Sequence, residues 1–184
     1  MIVTNLRVSG DFRVPVRVWG DFLRLSMKRL LIPIAFALTF SGLAMAKTWG
    51  TATSTNDATG RALVFRFVGD LDPGFDRASQ PVRVIITWKY EGTNGMPVPA
   101  ERQRMDAMED LLAPALEADG FSTLALVSTG EDLREWIYYA KSEESFFARL
   151  NEALGGHPAF PIEIHVAADP KWENYQEFMD GLKK

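Results

Sequence analysis

The chain has 184 residues, a formal net charge of −4 and no cysteine. This length fits one globular domain that can bury a substantial core. The absence of cysteine excludes disulfides, thiolate catalysis, zinc sites built on cysteine and iron–sulfur clusters.

The segment before Lys47 has the pattern of a secretory signal peptide. A short basic start, Met27-Lys28-Arg29, is followed by an apolar run from Leu30 to Phe40. A spanning helix needs roughly 20 apolar residues, so this run has the length of a signal-peptide core instead. The run is followed by Ala44-Met45-Ala46, which suits signal peptidase. We therefore predict a signal peptide at 27–46 and a mature chain that begins at Lys47.

This prediction makes residues 1–26 an upstream extension, because the basic flank of a signal peptide usually lies at the start methionine. Met27 is then the true start, and an uncleaved N-terminal anchor is the alternative. Cleavage predicts a periplasmic or secreted bacterial protein that keeps no membrane span. Residues 1–46 hold six of the 20 basic and two of the 24 acidic residues, so the remaining 14 and 22 give a net charge of −8. Such an acidic domain disfavours binding to nucleic acid or anionic membranes.

The mature chain divides into a short leader and one domain. Residues 47–60 are mostly small and polar, which predicts a flexible tether. Residues 61–184 form the predicted domain. Its first strand runs from Arg61 to Val68, where β-forming residues dominate.

Strand and helix patterns alternate through the rest of the domain. Apolar periodicities, with turn and cap signals between them, predict the order strand, helix, strand, strand, helix, strand. Asp169-Pro170 then begins a terminal helix as cap and first-turn proline. Ser128–Asp132 is the predicted hairpin turn. The segments are Pro81–Tyr90, Ala100–Asp119, Phe121–Val127, Leu133–Ala140, a helix capped by Ser142, and Phe160–Ala168.

This order predicts an α+β fold, a ferredoxin-like βαββαβ sandwich with an extra N-terminal strand and a C-terminal helix. Both helices of the βαββαβ unit should cover one face, and the strands that begin at Pro81 and Leu133 should be central. Unpaired charge is costly to bury, so the apolar side of each strand should face the helices. The predicted core residues are Val84, Ile86, Trp88, Trp136, Tyr138, Ile162, Ile164 and Val166. The predicted open face carries Arg83, Thr87, Lys89, Glu135, Tyr139, Glu163 and His165.

Five short motifs stand out in this domain. They read W-K-Y, N-G-M-P, R-M-D-A-M-E-D, S-T-G-E-D-L-R-E-W-I-Y-Y and D-P-K-W-E-N-Y. Together they resemble the domain-of-unknown-function 695 family over roughly residues 87–175. The most specific parts are Gly130…Arg134-Glu135-Trp136…Tyr139 and Asp169-Pro170-x-Trp172-x-x-Tyr175. No activity is established for that family, so the resemblance implies no reaction.

Two functions fit these patterns, and neither requires a cofactor or a metal. The first is a non-enzymatic interaction module of the cell envelope, because no catalytic or cofactor motif is present. Its partner would be an envelope protein, a peptide or a second copy of the chain, as in a homodimer. The candidate binding residues are Lys89, Arg134, Tyr139, Glu163, Trp172 and Tyr175.

The alternative is a hydrolase or lyase that acts on a small substrate. His165 would be the general base, because a neutral imidazole accepts protons at moderate pH. Glu135 or Glu163 would orient it, and Lys89 or Arg134 would stabilise an anion. Such a site requires these side chains to meet in a concave pocket.

Overall fold

The computed structural model describes residues 47–183 of the chain. In this range six strands form one antiparallel sheet and three α-helices pack on it, so the fold is α+β. The predicted upstream extension and signal peptide lie outside the described residues. The strands are β1 (Thr48–Thr55), β2 (Ala62–Asp70), β3 (Val82–Lys89), β4 (Ser122–Gly130), β5 (Leu133–Ala140) and β6 (Ile162–Ala168). The helices are α1 (Pro99–Leu116), α2 (Glu143–Leu154) and α3 (Glu173–Gly181).

The strand order across the sheet is β1-β2-β4-β5-β3-β6. Every neighbouring pair is antiparallel. β5 lies between β4 and β3, and β3 lies between β5 and β6, so both are internal strands as predicted. β1 and β6 are the two edge strands among the described residues.

The prediction of a flexible tether at residues 47–60 is wrong for its first part, because Thr48–Thr55 form strand β1. β1 pairs with β2 from Thr48 opposite Asp70 to Thr55 opposite Ala62. The alternating Thr51, Thr53 and Thr55 favour extended backbone, and β2 supplies the hydrogen bonds that an isolated strand lacks. Two strands therefore precede β3, where the sequence predicted one.

The main core lies on the face of the sheet that α1 and α2 cover, and the core residues predicted from the sequence are confirmed. Trp88, Trp136 and Tyr138 are fully buried there. Helices α1 and α2 pack on them through Met105, Met108, Leu112, Leu116, Phe146 and Leu150. The hydroxyl of Ser142 caps α2 as predicted, since it accepts a hydrogen bond from the Ser145 amide at 3.3 Å. None of the helices within residues 47–183 is long and apolar enough to cross a membrane.

The centre of the opposite face of the sheet is not open, which corrects the prediction. Helix α3 covers it, and a second apolar cluster fills the space between them. The cluster forms because the sheet has a second apolar row that α1 and α2 do not cover, and the terminal helix has an apolar stripe that needs burial. The two apolar surfaces pack against each other. The sheet contributes Phe65, Phe67, Ile85, Ile137 and Tyr139, and the C-terminal segment contributes Trp172, Tyr175, Phe178 and Met179.

Helix α3 begins at Glu173 and not at Pro170, so the predicted start is three residues too early. Asp169 still caps it. Its carboxylate accepts hydrogen bonds from the amides of Glu173 at 2.7 Å and Asn174 at 3.2 Å. Trp172 is left-handed, with a φ of 58°, and this turn directs its ring under the helix.

The hairpin between β4 and β5 is tighter than the predicted turn at Ser128–Asp132. Only Glu131 and Asp132 separate the strands, with φ angles of 54° and 61°, as in a two-residue primed turn. Neither is glycine, and external contacts hold both: Arg61 forms ion pairs with the two carboxylates, and Asp132 N–H donates to the Gly95 carbonyl. Gly130 has a φ of 152°, and a Cβ there would lie 2.6 Å from the Ala62 carbonyl oxygen.

All four tyrosines of the chain have raised pKa values, and burial is the main cause in each case. The pKa of Tyr90 is raised to about 12, with a contribution from the charge of Asp132. At Tyr139 the hydrogen bond to Asp169 adds to the effect of burial and raises the pKa further. The folded protein therefore favours neutral phenols.

This predicts a loss of stability in strong alkali. An unfolded tyrosine ionises near pH 10, whereas these tyrosines resist ionisation in the folded protein. Their stabilising contribution is thus fully present below about pH 10 and is lost as the pH rises through about 12. Near-ultraviolet absorbance should detect little tyrosinate at about pH 10.5 in the native protein and extensive tyrosinate in urea. Equal titration of native and unfolded protein would contradict the prediction.

Candidate functional site

Three of the predicted site residues, Lys89, Glu163 and His165, lie at the β6 side of the sheet. Lys89 Nζ is 3.1 Å from Glu163 Oε1, and both side chains are largely exposed. His165 is exposed on β6 and lies opposite Ile85 of β3. An exposed ion pair contributes only about 0 to 1 kcal/mol. These residues form a solvated edge rather than an enclosed site.

Glu135 lies apart from this group. Its Oε2 accepts a hydrogen bond from the Ser128 hydroxyl at 3.1 Å. Thr87 of β3 lies opposite both Glu135 and Glu163, so the two glutamates are separated by two strand spacings, roughly 10 Å. The structure therefore does not bring these two carboxylates together.

The arrangement that acid–base catalysis requires is not assembled among the described residues. Within residues 47–183, no hydrogen bond links His165 to Glu135, Glu163 or Lys89. The pocket between the end of β2 and α3 is lined by other residues. Nor does any group of three or more His, Asp or Glu side chains in the described range have the geometry to hold a metal ion. Nothing in this geometry favours the hydrolase or lyase alternative.

Arg134 is buried on the face of the sheet that α1 and α2 cover, where it links α1 to the sheet. Its Nη1 is 2.8 Å from Asp106 Oδ1, and its Nη2 is 3.1 Å from Glu109 Oε2. Its guanidinium lies 4.9 Å from the ring centroid of Trp136. Because two carboxylates already occupy this guanidinium, Arg134 is poorly placed to bind an external anion.

Glu109 is the centre of that contact. Its carboxylate pairs with Arg134 and Arg66, and it accepts a hydrogen bond from Trp136 Nε1 at 2.8 Å. One acidic residue of α1 thereby contacts both β2 and β5. The R-E-W and R-M-D-A-M-E-D motifs meet here, and they act in helix–sheet packing.

Tyr139, Trp172 and Tyr175 are buried beneath α3, so the expectation that Tyr139 faces an open surface is wrong. The Tyr139 and Trp172 rings stack with centroids 4.0 Å apart. The Tyr139 hydroxyl donates to Asp169 Oδ2 at 2.8 Å, and Trp172 Nε1 donates to the Gln80 carbonyl at 3.0 Å. These side chains anchor the C-terminal segment, and Tyr139 and Trp172 are fully buried, so neither of these two rings is accessible to a ligand.

The sequence interpretation missed one of the two sheet edges that are unpaired among the described residues, the outer edge of β1. No described residue pairs with this edge. β1 reads T-W-G-T-A-T-S-T, without charge or proline. Its alternating threonines were the signal that could have identified it as a strand.

Both faces of β1 are anchored to the domain. On the α1 side, the Arg66 guanidinium lies 4.9 Å from the Trp49 ring centroid and reaches on to Glu109. On the α3 side, the Phe67 ring covers Gly50, where a Cβ would lie 2.6 Å from the ring. β1 is therefore a preformed strand whose outer backbone groups have no partner within residues 47–183.

The model of a family of unknown function (DUF695) matches residues 47–179, which confirms the resemblance inferred from the motifs. No curated protein matches the chain.

We predict that Glu109→Ala destabilises the fold, because it leaves Arg134 and the Trp136 indole without their shared partner. The expected cost is about 3 kcal/mol in the free energy of unfolding, measured by urea denaturation. Asp110→Ala is the matched control, since Asp110 is the next residue of α1 and is exposed. It should change stability by no more than about 0.5 kcal/mol. Equal effects of the two substitutions would show that Glu109 is not a packing centre.

Proposed function

The chain belongs to the family of unknown function DUF695, and we propose that it is a non-enzymatic interaction module that pairs with a second copy of itself through β1. The observation that carries this proposal is the uncharged, proline-free outer edge of β1, whose register with β2 is regular from Trp49 to Thr55 and irregular only between Thr48 and Trp49. Proteins usually protect such edges with charge, proline, a bulge or a covering segment, because free backbone groups invite a further strand. Strand addition is an established mode of protein recognition.

The anchoring of β1 supports a role in binding. A flexible segment would lose conformational entropy when it pairs, at about 1–2 kcal/mol per residue. Contacts of Trp49 with Arg66 and of Gly50 with Phe67 order β1 before any partner arrives. Pairing through β1 would therefore cost little ordering entropy.

A second copy is the occupant that this edge fits best. The partner must offer a strand that is unpaired, uncharged and of similar length. Another β1 has all three properties. Antiparallel β1–β1 pairing around a two-fold axis would place threonines opposite threonines and no charge opposite a like charge. The result would be one continuous sheet of twelve strands. Because residues 47–184 carry a net charge of −8, added salt should strengthen the association.

Two finer assignments accompany this proposal. The order β4-β5-β3-β6, with α1 and α2 on one face, supports a ferredoxin-like βαββαβ unit to which β1, β2 and α3 are added. The signal-peptide pattern at residues 27–46 supports export to the periplasm or beyond, where β1 would begin just after the cleavage site.

Introducing charge on β1 tests the pairing. Thr51 and Thr53 are exposed on the α1 side of β1, so each accepts a longer side chain. A Thr51→Glu/Thr53→Glu variant and a Thr51→Lys/Thr53→Lys variant should each be monomeric by light scattering, because like charges would face each other. An equimolar mixture should recover a dimer.

The matched control is Gln103→Glu/Ala107→Glu, which places two charges on the exposed side of α1. This variant should dimerise like the native protein. A monomeric native protein would overturn the proposal, even if it bound a foreign extended peptide. A dimer that survives both β1 variants would place the contact elsewhere and would overturn it equally.

A further inference from the structure

A pocket of about 350 Å³ lies between the segment that follows β2 and the helix α3. Its volume is in the range of pockets that hold small molecules. None of the residues proposed for β1 pairing lines it. Residues of opposite charge and two aromatic rings share its wall: Asp70, Asp72, Phe75, Arg77, Tyr175 and Gln176.

The positive charge of this pocket comes from Lys183, which pairs with Asp180 at 3.4 Å, and from Arg77. Arg77 is half-buried, its Nη1 donates to Gln176 Oε1 at 3.0 Å, and its guanidinium is 5.9 Å from the Tyr175 ring centroid. Within residues 47–183, no carboxylate lies within 4 Å of it. A guanidinium has five N–H donors, so Arg77 retains donors for a carboxylate that enters the pocket.

Asp70 and Asp72 supply the negative charge. In the described range, neither forms an ion pair with a lysine or arginine. Asp72 Oδ1 accepts from the Gly74 amide at 2.8 Å, which fixes the side chain and leaves Oδ2 available. Beside the effect of burial, the charge of Arg77 lowers and the charge of Asp70 raises the pKa of Tyr175. Both charges therefore act on the tyrosine hydroxyl. The pocket thus presents opposite charges that do not neutralise each other by direct contact.

We propose that this pocket binds a small zwitterion with an apolar side chain, such as an amino acid or a dipeptide. The ligand carboxylate would lie on Arg77 and its ammonium group beside Asp70 and Asp72. Its side chain would pack against Phe75 and Tyr175. A purely anionic ligand would be repelled by the two aspartates, and a purely cationic ligand would be repelled by Arg77. Only a molecule that carries both charges can pair with Arg77 and with the two aspartates at the same time.

Isothermal titration calorimetry of the purified protein with L-phenylalanine and L-alanyl-L-phenylalanine tests this site. Binding of at least one probe is expected. The N-acetylated and the carboxyl-amidated form of the same probe should each bind at least tenfold more weakly, because each lacks one charge. Failure of both zwitterions to bind would overturn the proposal, as would equal binding of the blocked forms.

Substitutions locate the site. Arg77→Ala and Asp70→Asn should each weaken binding by at least tenfold. Arg102→Ala and Asp110→Asn are the matched controls, because both residues are exposed on α1, away from the pocket. Binding that survives both pocket variants would place the ligand elsewhere and overturn the assignment. Circular dichroism of the variants separates a lost ligand contact from a lost fold.

Discussion

The packing of α1 against the sheet depends on the contacts of the Glu109 carboxylate. It joins Arg66 of β2 and Arg134 of β5, and each of these guanidinium groups lies over a tryptophan ring. The series Trp49, Arg66, Glu109, Arg134 and Trp136 thus runs from the edge strand β1 to the internal strand β5. Partly buried charges of this kind are stable only while they remain paired. One carboxylate therefore couples the core to the edge that we propose for self-association.

The C-terminal helix determines which parts of the far face of the sheet are exposed. Without α3, the far face of the sheet would expose the aromatic cluster around Tyr139, and that face would be the natural place for a binding site. Trp172 stacks on Tyr139, and Asp169 both caps α3 and accepts the Tyr139 hydroxyl. This seals the centre of the face. What remains accessible is the rim: the outer edge of β1, the solvated end of β6 and the pocket beside Arg77.

Much of the fold could be read from local patterns. β5 has the predicted bounds, and Ser142 caps α2, because strand periodicity and hydrogen bonding of a cap are properties of adjacent residues. The core residues Trp88, Trp136 and Tyr138 followed from the same periodicity. The start of α3 did not follow, because the left-handed turn at Trp172 is set by the stacking partner 33 positions earlier in the chain, Tyr139.

The candidate site was harder to predict, because it depends on contacts between distant segments. Lys89 and Glu163 meet as cross-strand neighbours, but Glu135 is directed to Ser128 and Arg134 to α1. By itself the sequence determined the strand and helix pattern, the membership of the main core and the family. Only the tertiary structure decided that β1 is an ordered edge and that α3 closes the second face. Pairing with β2 and burial of two facing apolar surfaces are long-range interactions, and no local pattern encodes which surfaces will meet.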